Sequence, residues 1–129
     1  MTEDCIARLV RQCRGDKGRM VVLRDETGRV FPLHEGADCR TRIANAAELC
    51  LIDLLPEIRD ARIAEIIIDA RFRPAAYAAA NTRLYRDAIN VIGEPGSPGN
   101  GKLRDLKERV KALSLGGITA GHFIRGLKE

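Results

Sequence analysis

Hydrophobic positions change period several times along the chain. Over residues 3–13, Cys5, Ile6, Leu9, Val10 and Cys13 fall at i, i+1, i+4, i+5, i+8, the spacing of a helical stripe. Arg14-Gly15-Asp16-Lys17-Gly18 breaks it. Met20–Arg24 and Arg29–Leu33 are β-branched and apolar, and they read as the two strands of a β-ribbon. Asp25-Glu26-Thr27-Gly28 turns between them, with Gly28 free to take positive φ. Pro32 has no N–H to give, so its strand is expected to lie on an edge or to end there. His34 to Asp38 reads as loop, and Thr41 to Ala44 as a short third strand.

From Asn45 the period becomes helical. Ala47, Cys50, Leu51, Leu54, Leu55 and Ile58 fall at i, i+3, i+4, i+7, i+8, i+11. Asn45 is placed to cap this helix, and Glu48 three residues later completes a capping-box pattern. Pro56 predicts a kink or an early end. Ala64 to Asp69 contains three consecutive isoleucines and is the strongest strand candidate, of the kind buried on both faces in a parallel sheet. A helix is expected from about Pro74, with Tyr77, Ala80, Leu84, Ala88 and Val91 on its inner stripe. Residues 93–101, rich in Gly and Pro, read as a flexible loop. Leu103 to Leu113 reads as an amphipathic helix. Gly116 to Phe123 is at most a short strand. The strand–helix alternation from residue 63 onward gives an α/β class, with too few parallel strands for a closed eight-stranded barrel.

Bulk properties narrow the class without naming a function. The chain has 129 residues, of which 45% are hydrophobic, and it reads as a single domain spanning 1–129 with an aliphatic core, because aromatics are 4%. No apolar run approaches the roughly 20 residues that span a bilayer, which predicts no membrane association. The start, MTEDCIARLVRQ, lacks the basic-then-apolar order of a signal peptide. A cytoplasmic location follows as an expectation. The net charge of +4 is local: residues 102–129 carry seven Lys or Arg against three Asp or Glu. That segment is either a solvated helix face or a contact for the phosphate backbone of RNA.

Candidate chemistry is sparse. Cys5, Cys13, Cys39 and Cys50 contain no C-x-x-C pair, so a zinc ribbon is a poor match. Cys13 and Cys39 flank the ribbon and are the candidate metal ligands. Cys5 and Cys50 stand on apolar stripes, where a thiol usually acts as a small hydrophobe. The histidines are His34 and His122, the latter after Gly121, where backbone can approach a ligand. Asp69 and Arg71 end the Ile strand. Ligands gather at the carboxyl ends of parallel strands, and Arg71 could hold an anion by its planar fork. The same two residues could equally form a pair locking strand to helix.

The ordered set Cys13-Arg14, the ribbon MVVLRDETGRVFPL, Ile43-Ala44-Asn45-Ala46 with ELCLIDLLPEI, then IIIDAR and a helix holding Tyr85-Arg86, closed by GGITAGHFIRG, resembles the C-terminal part of the catalytic region of peptidase family U32, the collagenase-like peptidases. The resemblance implies part of a TIM-like barrel with an inserted two-stranded β-ribbon. The candidate ligand-binding residues are Asp69, Arg71, Asn45 and His122, and the resemblance adds weight to the Asp69–Arg71 strand end. Some members of that family resemble peptidases, and others resemble oxygen-independent hydroxylases that hold an iron–sulfur cluster on four cysteines. The upstream Ser-Gly-Cys-type signature has no counterpart here. Ala46 stands where members often carry Ser, and Leu9 where many carry a second Cys. The expectation is a fragment or truncated relative, inactive alone. Its exposed edges would recruit a second copy or a partner holding the missing half. An RNA-binding module and an iron–sulfur hydroxylase subunit are the alternatives.

Overall fold

In a computed structural model, residues 20–36, 40–93 and 99–125 are described. The predicted N-terminal helix, and with it Cys5 and Cys13, lies outside those residues, as does Cys39. The chain is mixed α/β, with two small sheets and four α-helices among the described residues. Its contacts cluster into two units, residues 1–46 and 47–129.

The first unit holds a three-stranded antiparallel sheet in the order β1 (Met20–Arg24), β2 (Val30–Glu35), β3 (Thr41–Ile43). Register runs from Met20 opposite His34 to Arg24 opposite Val30. The β1–β2 turn is organised by Asp25. One carboxylate oxygen accepts from the Thr27 amide at 3.0 Å, the Thr27 hydroxyl at 2.7 Å and the Arg29 amide at 2.8 Å. The other meets the Arg29 guanidinium at 2.7 Å. These bonds, the Thr27 hydroxyl foremost, hold the Asp25 carboxyl down at about 2. Gly28, at φ +82°, closes the turn.

Pro32 sits in the central strand, not on an edge. Its carbonyl accepts from the Ala44 amide at 2.8 Å, one residue beyond β3. In an antiparallel strand a residue's N–H and C=O point to the same neighbour. The missing donor therefore falls where the β3 ladder ends, and the β1 ladder loses nothing.

The second unit departs most from the pattern. Residues 45–58 do not form one helix. They form β4 (Glu48–Leu49), a 3-10 turn (Ile52–Leu54) and α1 (Leu55–Asp60). Pro56 lies in the first turn of α1 and starts it rather than breaking it. Asn45 is exposed and caps nothing. β4 pairs in parallel with β5 (Ile118–Thr119), Glu48 opposite Ile118 and Leu49 opposite Thr119. Gly117, at φ +83°, gives its carbonyl to the Glu48 amide at 2.9 Å.

α2 (Ala75–Gly93) begins after Pro74, as expected, and buries Asn81, Leu84, Tyr85 and Ala88. α3 (Gly99–Leu113) buries Leu103, Leu106 and Val110, and a short α4 (Gly121–Arg125) follows β5. The ends of the expected 93–101 loop are thus helical; residues 94–98 lie outside the described residues. One core joins Cys50, Ile52, Leu55 and Ile58 to the inner faces of α2 and α3.

The expected Ala64–Asp69 strand belongs to no sheet among the described residues. Ile68 packs against the core, while Ile67 is 87% exposed. The sequence pattern reads this run as central, but among the described residues it pairs with no other strand. The parallel strands among the described residues are that pair alone.

Two arginines finish the helices. Arg59 donates to the Ile92 carbonyl at 2.6 Å, and Arg73 to the Leu113 carbonyl at 2.7 Å, each at a helix C-terminus whose carbonyls lack intrahelical donors.

Candidate functional site

Asp69 and Arg71 do meet, but locally and in solvent. The Arg71 Nε lies 2.9 Å and 3.0 Å from the two Asp69 oxygens, and Nη2 lies 2.5 Å from Oδ2. Asp69 Oδ1 also accepts from the Arg71 amide at 3.0 Å, an Asx turn that begins the reversal after residue 70. Both side chains are exposed. The Arg71 hydrogen bonds hold the Asp69 carboxyl down at about 2, and Asp69 raises the guanidinium in return. Arg71's fork is engaged by its near neighbour, and the pair joins no strand to a helix.

Two measurable outcomes follow. The Asp69 carboxyl should titrate near 2 by carbon NMR and rise toward the ordinary carboxylate range in Arg71→Ala. The folded value is depressed, so the pair's small contribution is full above the unfolded carboxylate value and fades as pH falls toward 2. Arg71→Lys should leave Tm unchanged, because an exposed pair is worth little. A clear loss of Tm would place the pair in the core.

The densest polar network is one that the sequence pattern assigns to helix capping. Glu48 is its hub. Oε1 accepts from Arg73 Nη1 at 2.6 Å and from the Leu115 amide at 3.3 Å, and Oε2 accepts from the Tyr77 hydroxyl at 2.6 Å. Asn81 Nδ2 donates to the Tyr77 oxygen at 3.2 Å. The Arg73 guanidinium stacks 4.0 Å above the Tyr77 ring. The ion pair is largely shielded, with side-chain exposures of 16% for Arg73 and 24% for Glu48.

Local conformation delivers these groups. Phe72 takes φ +67°, rare for an aromatic residue, and the Arg73 amide bonds back to the Ala70 carbonyl at 3.0 Å. That turn reverses the chain and carries Arg73 to Glu48. On α2, Tyr77, Asn81 and Tyr85 stand four residues apart and share one face. Tyr85 is buried, and its hydroxyl accepts from the Leu51 amide at 3.0 Å. The sequence signal for this network is the i, i+4, i+8 spacing of Tyr77, Asn81 and Tyr85, of which the expected inner stripe holds Tyr77 alone.

The network ties β4, α2, the end of α3 and the approach to β5 together. It can hold protein to protein; its carboxylate accepts from three protein donors, two on Oε1 and one on Oε2. Burial, then the Glu48 hydrogen bond, pushes the Tyr77 hydroxyl up to about 12. The neutral phenol is the favoured folded form. Stability from this group is therefore full below the unfolded phenol value and declines as pH rises from about 10 toward 12. In a Glu48→Gln variant the ultraviolet titration of Tyr77 should move down while remaining above 10, because the burial cause persists. An unmoved midpoint would remove Glu48 as a cause.

The other candidates are not brought together. His122 lies on α4, and its side chain is outside the described residues. His34 is on β2, half-buried, with its imidazole pKa lowered by burial. Cys50 is a free, buried thiol. It neighbours Tyr85, whose hydroxyl pKa is raised by burial first and by the thiol second. No group of three or more His, Cys, Asp or Glu side chains among the described residues is placed to hold a metal ion. Of the four cysteines only Cys50 is among the described residues. Lys107, expected on a solvated face, donates to Asp53 in the 3-10 turn, and Lys111 pairs with Glu108 at 3.5 Å. Among the described residues no helix is long and apolar enough to cross a membrane.

Against known proteins, the model of Peptidase family U32 matches residues 12–129. The tRNA hydroxylation protein P2 of Bacillus subtilis (strain 168) is 30% identical over 83 residues, covering 64% of this chain and 26% of that protein. The chain thus spans about a quarter of that relative's length. No solved structure matches.

Proposed function

The chain belongs to peptidase family U32, and we propose that within it the chain serves the hydroxylation of tRNA as one portion of a larger apparatus, without a complete catalytic centre of its own. The carrying observation is the 83-residue likeness to a protein named for tRNA hydroxylation. The geometry is in keeping with it. The polar site around Glu48 is engaged by three protein donors. A thiol peptidase would need an activated cysteine beside a base, and the described cysteine, Cys50, is buried beside Tyr85 instead. In this reading β4, β5 and the 63–70 run are staves of a TIM-like barrel that the rest of the family's length would close, and the chain works in the cytoplasm.

The part left to this chain is to hold RNA and the rest of the apparatus. Exposed Arg83 and Arg86 on α2 and Arg104 and Arg109 on α3 are its basic groups for phosphate. The test is tRNA binding by gel shift across a salt series, run beside gelatin and casein digestion. The reading expects salt-dependent retardation and no digestion. Thiol-sensitive digestion of either protein, or no retardation at low salt, would overturn it.

A further inference from the structure

The three-stranded sheet keeps an open edge along β1. The Asp25 amide donates to the Arg29 carbonyl at 3.0 Å, so the main chain of Asp25 points toward the returning strand. Direction alternates along an antiparallel strand. Val21 and Leu23 therefore bond β2, while Met20, Val22 and Arg24 turn their N–H and C=O groups away from it. Pro32 fits this alternation: it lies opposite Val22 and gives its carbonyl to Ala44, on its other side. Among the described residues no strand pairs with β1 along its outer side. Sheet edges are commonly blunted by shortness, Lys, Pro or a bulge. β3, the opposite edge, has only three residues. β1 has five, and its middle is Val21-Val22-Leu23, exposed by 38%, 48% and 41%.

We infer that two copies of this chain pair through β1, antiparallel about a two-fold axis at Val22, into one continuous sheet in the order β3-β2-β1-β1-β2-β3. The occupant is a second copy because the edge is complementary to itself. Its outward groups stand on alternate residues, so an axis between two residues would set outward groups against inward ones and form no ladder. With the axis on Val22, the strand overlaps itself along its whole length. Val22 then meets Val22, Val21 meets Leu23, and Met20 lies opposite Arg24, with no charge facing its like. An axis on Val21 leaves Leu23 and Arg24 opposite positions before the strand. An axis on Leu23 sets Val22 against Arg24 and Val21 against Asp25. An axis on Met20 pairs that residue alone within the strand, and one on Arg24 sets two guanidiniums opposite each other. A parallel ladder staggers its bonds by one residue, which a two-fold axis cannot reproduce.

Sedimentation of the full-length protein tests this, with Val22→Lys and Val22→Glu made singly and then mixed. Only the axis on Val22 brings position 22 opposite itself, so each variant alone sets two like charges face to face. Wild type should run as a dimer. Each variant should dimerise roughly tenfold or more weakly, with unchanged circular dichroism because the side chain is half-exposed. Mixing the two should restore the dimer, since Lys then faces Glu. A second readout needs no variant: in wild type the Val22 amide should gain protection from hydrogen exchange as concentration rises. A wild-type monomer at roughly 1 mM, a species larger than a dimer, a folded charge variant that pairs as well as wild type, a folded mixture that stays monomeric, or an unprotected Val22 amide would each overturn the inference. Mass and exchange are read without tRNA, so this inference and the functional reading fail separately.

Discussion

Glu48→Ala is expected to destabilise the second unit by about 2–3 kcal/mol, a fall in Tm of roughly 11–17 °C. The alanine removes the acceptor for Arg73 Nη1, the Tyr77 hydroxyl and the Leu115 amide together. Arg73 Nε and Asn81 Oδ1 are already buried without a partner among the described residues. The remaining acceptor, Asn81 Oδ1, is neutral and cannot balance charge, so a shielded guanidinium is left uncompensated. Glu48→Gln, which keeps an acceptor and loses the charge, should cost about half as much. Arg73→Ala removes the other half of the pair and uncaps α3. In a double-mutant cycle Glu48 and Arg73 should couple by more than about 1 kcal/mol. Denaturant unfolding of the four proteins measures this. Simple additivity would reduce the hub to an incidental contact.

The second large effect separates the core from the isoleucine run. Ile52→Ala is expected to cost about 3–4 kcal/mol, since Ile52 is fully buried and its removal leaves a cavity between the 3-10 turn and α3. Ile67→Ala in the isolated chain should cost less than about 0.5 kcal/mol. The hydrophobic pattern alone ranks them the other way, with the triple isoleucine as the centre. Urea melts of the two variants decide it. An Ile67→Ala loss as large as that of Ile52→Ala would mean that the run is buried after all.

Much of the local structure was legible. Met20–Arg24, the Asp25–Gly28 turn and the returning strand follow from alternation and turn chemistry. α2 and α3 follow from long, strongly periodic runs. Residues 45–58 misled because a short strand, a 3-10 turn and a two-turn helix can bury Cys50, Leu55 and Ile58 at the same spacing that one helix would. Three polar contacts then decide the local form. Glu48 gives its carboxylate to Arg73, Tyr77 and Leu115, which lie 25, 29 and 67 residues away. A capping box needs only the next turn, so the pattern selected the nearer partner. Asp69 and Arg71 were legible as a pair because they are two residues apart, and for the same reason they close on each other. The site expected at Cys13 and Cys39 lies outside the described residues, and Asn45 is exposed and makes no cap.

The measurement that bears most directly on the central claim is nucleoside mass spectrometry of tRNA from cells with and without the gene for this chain. The account predicts that one hydroxylated nucleoside disappears, that its unhydroxylated precursor accumulates, and that the wild-type gene restores it. An unchanged nucleoside profile in the deletion strain would contradict it.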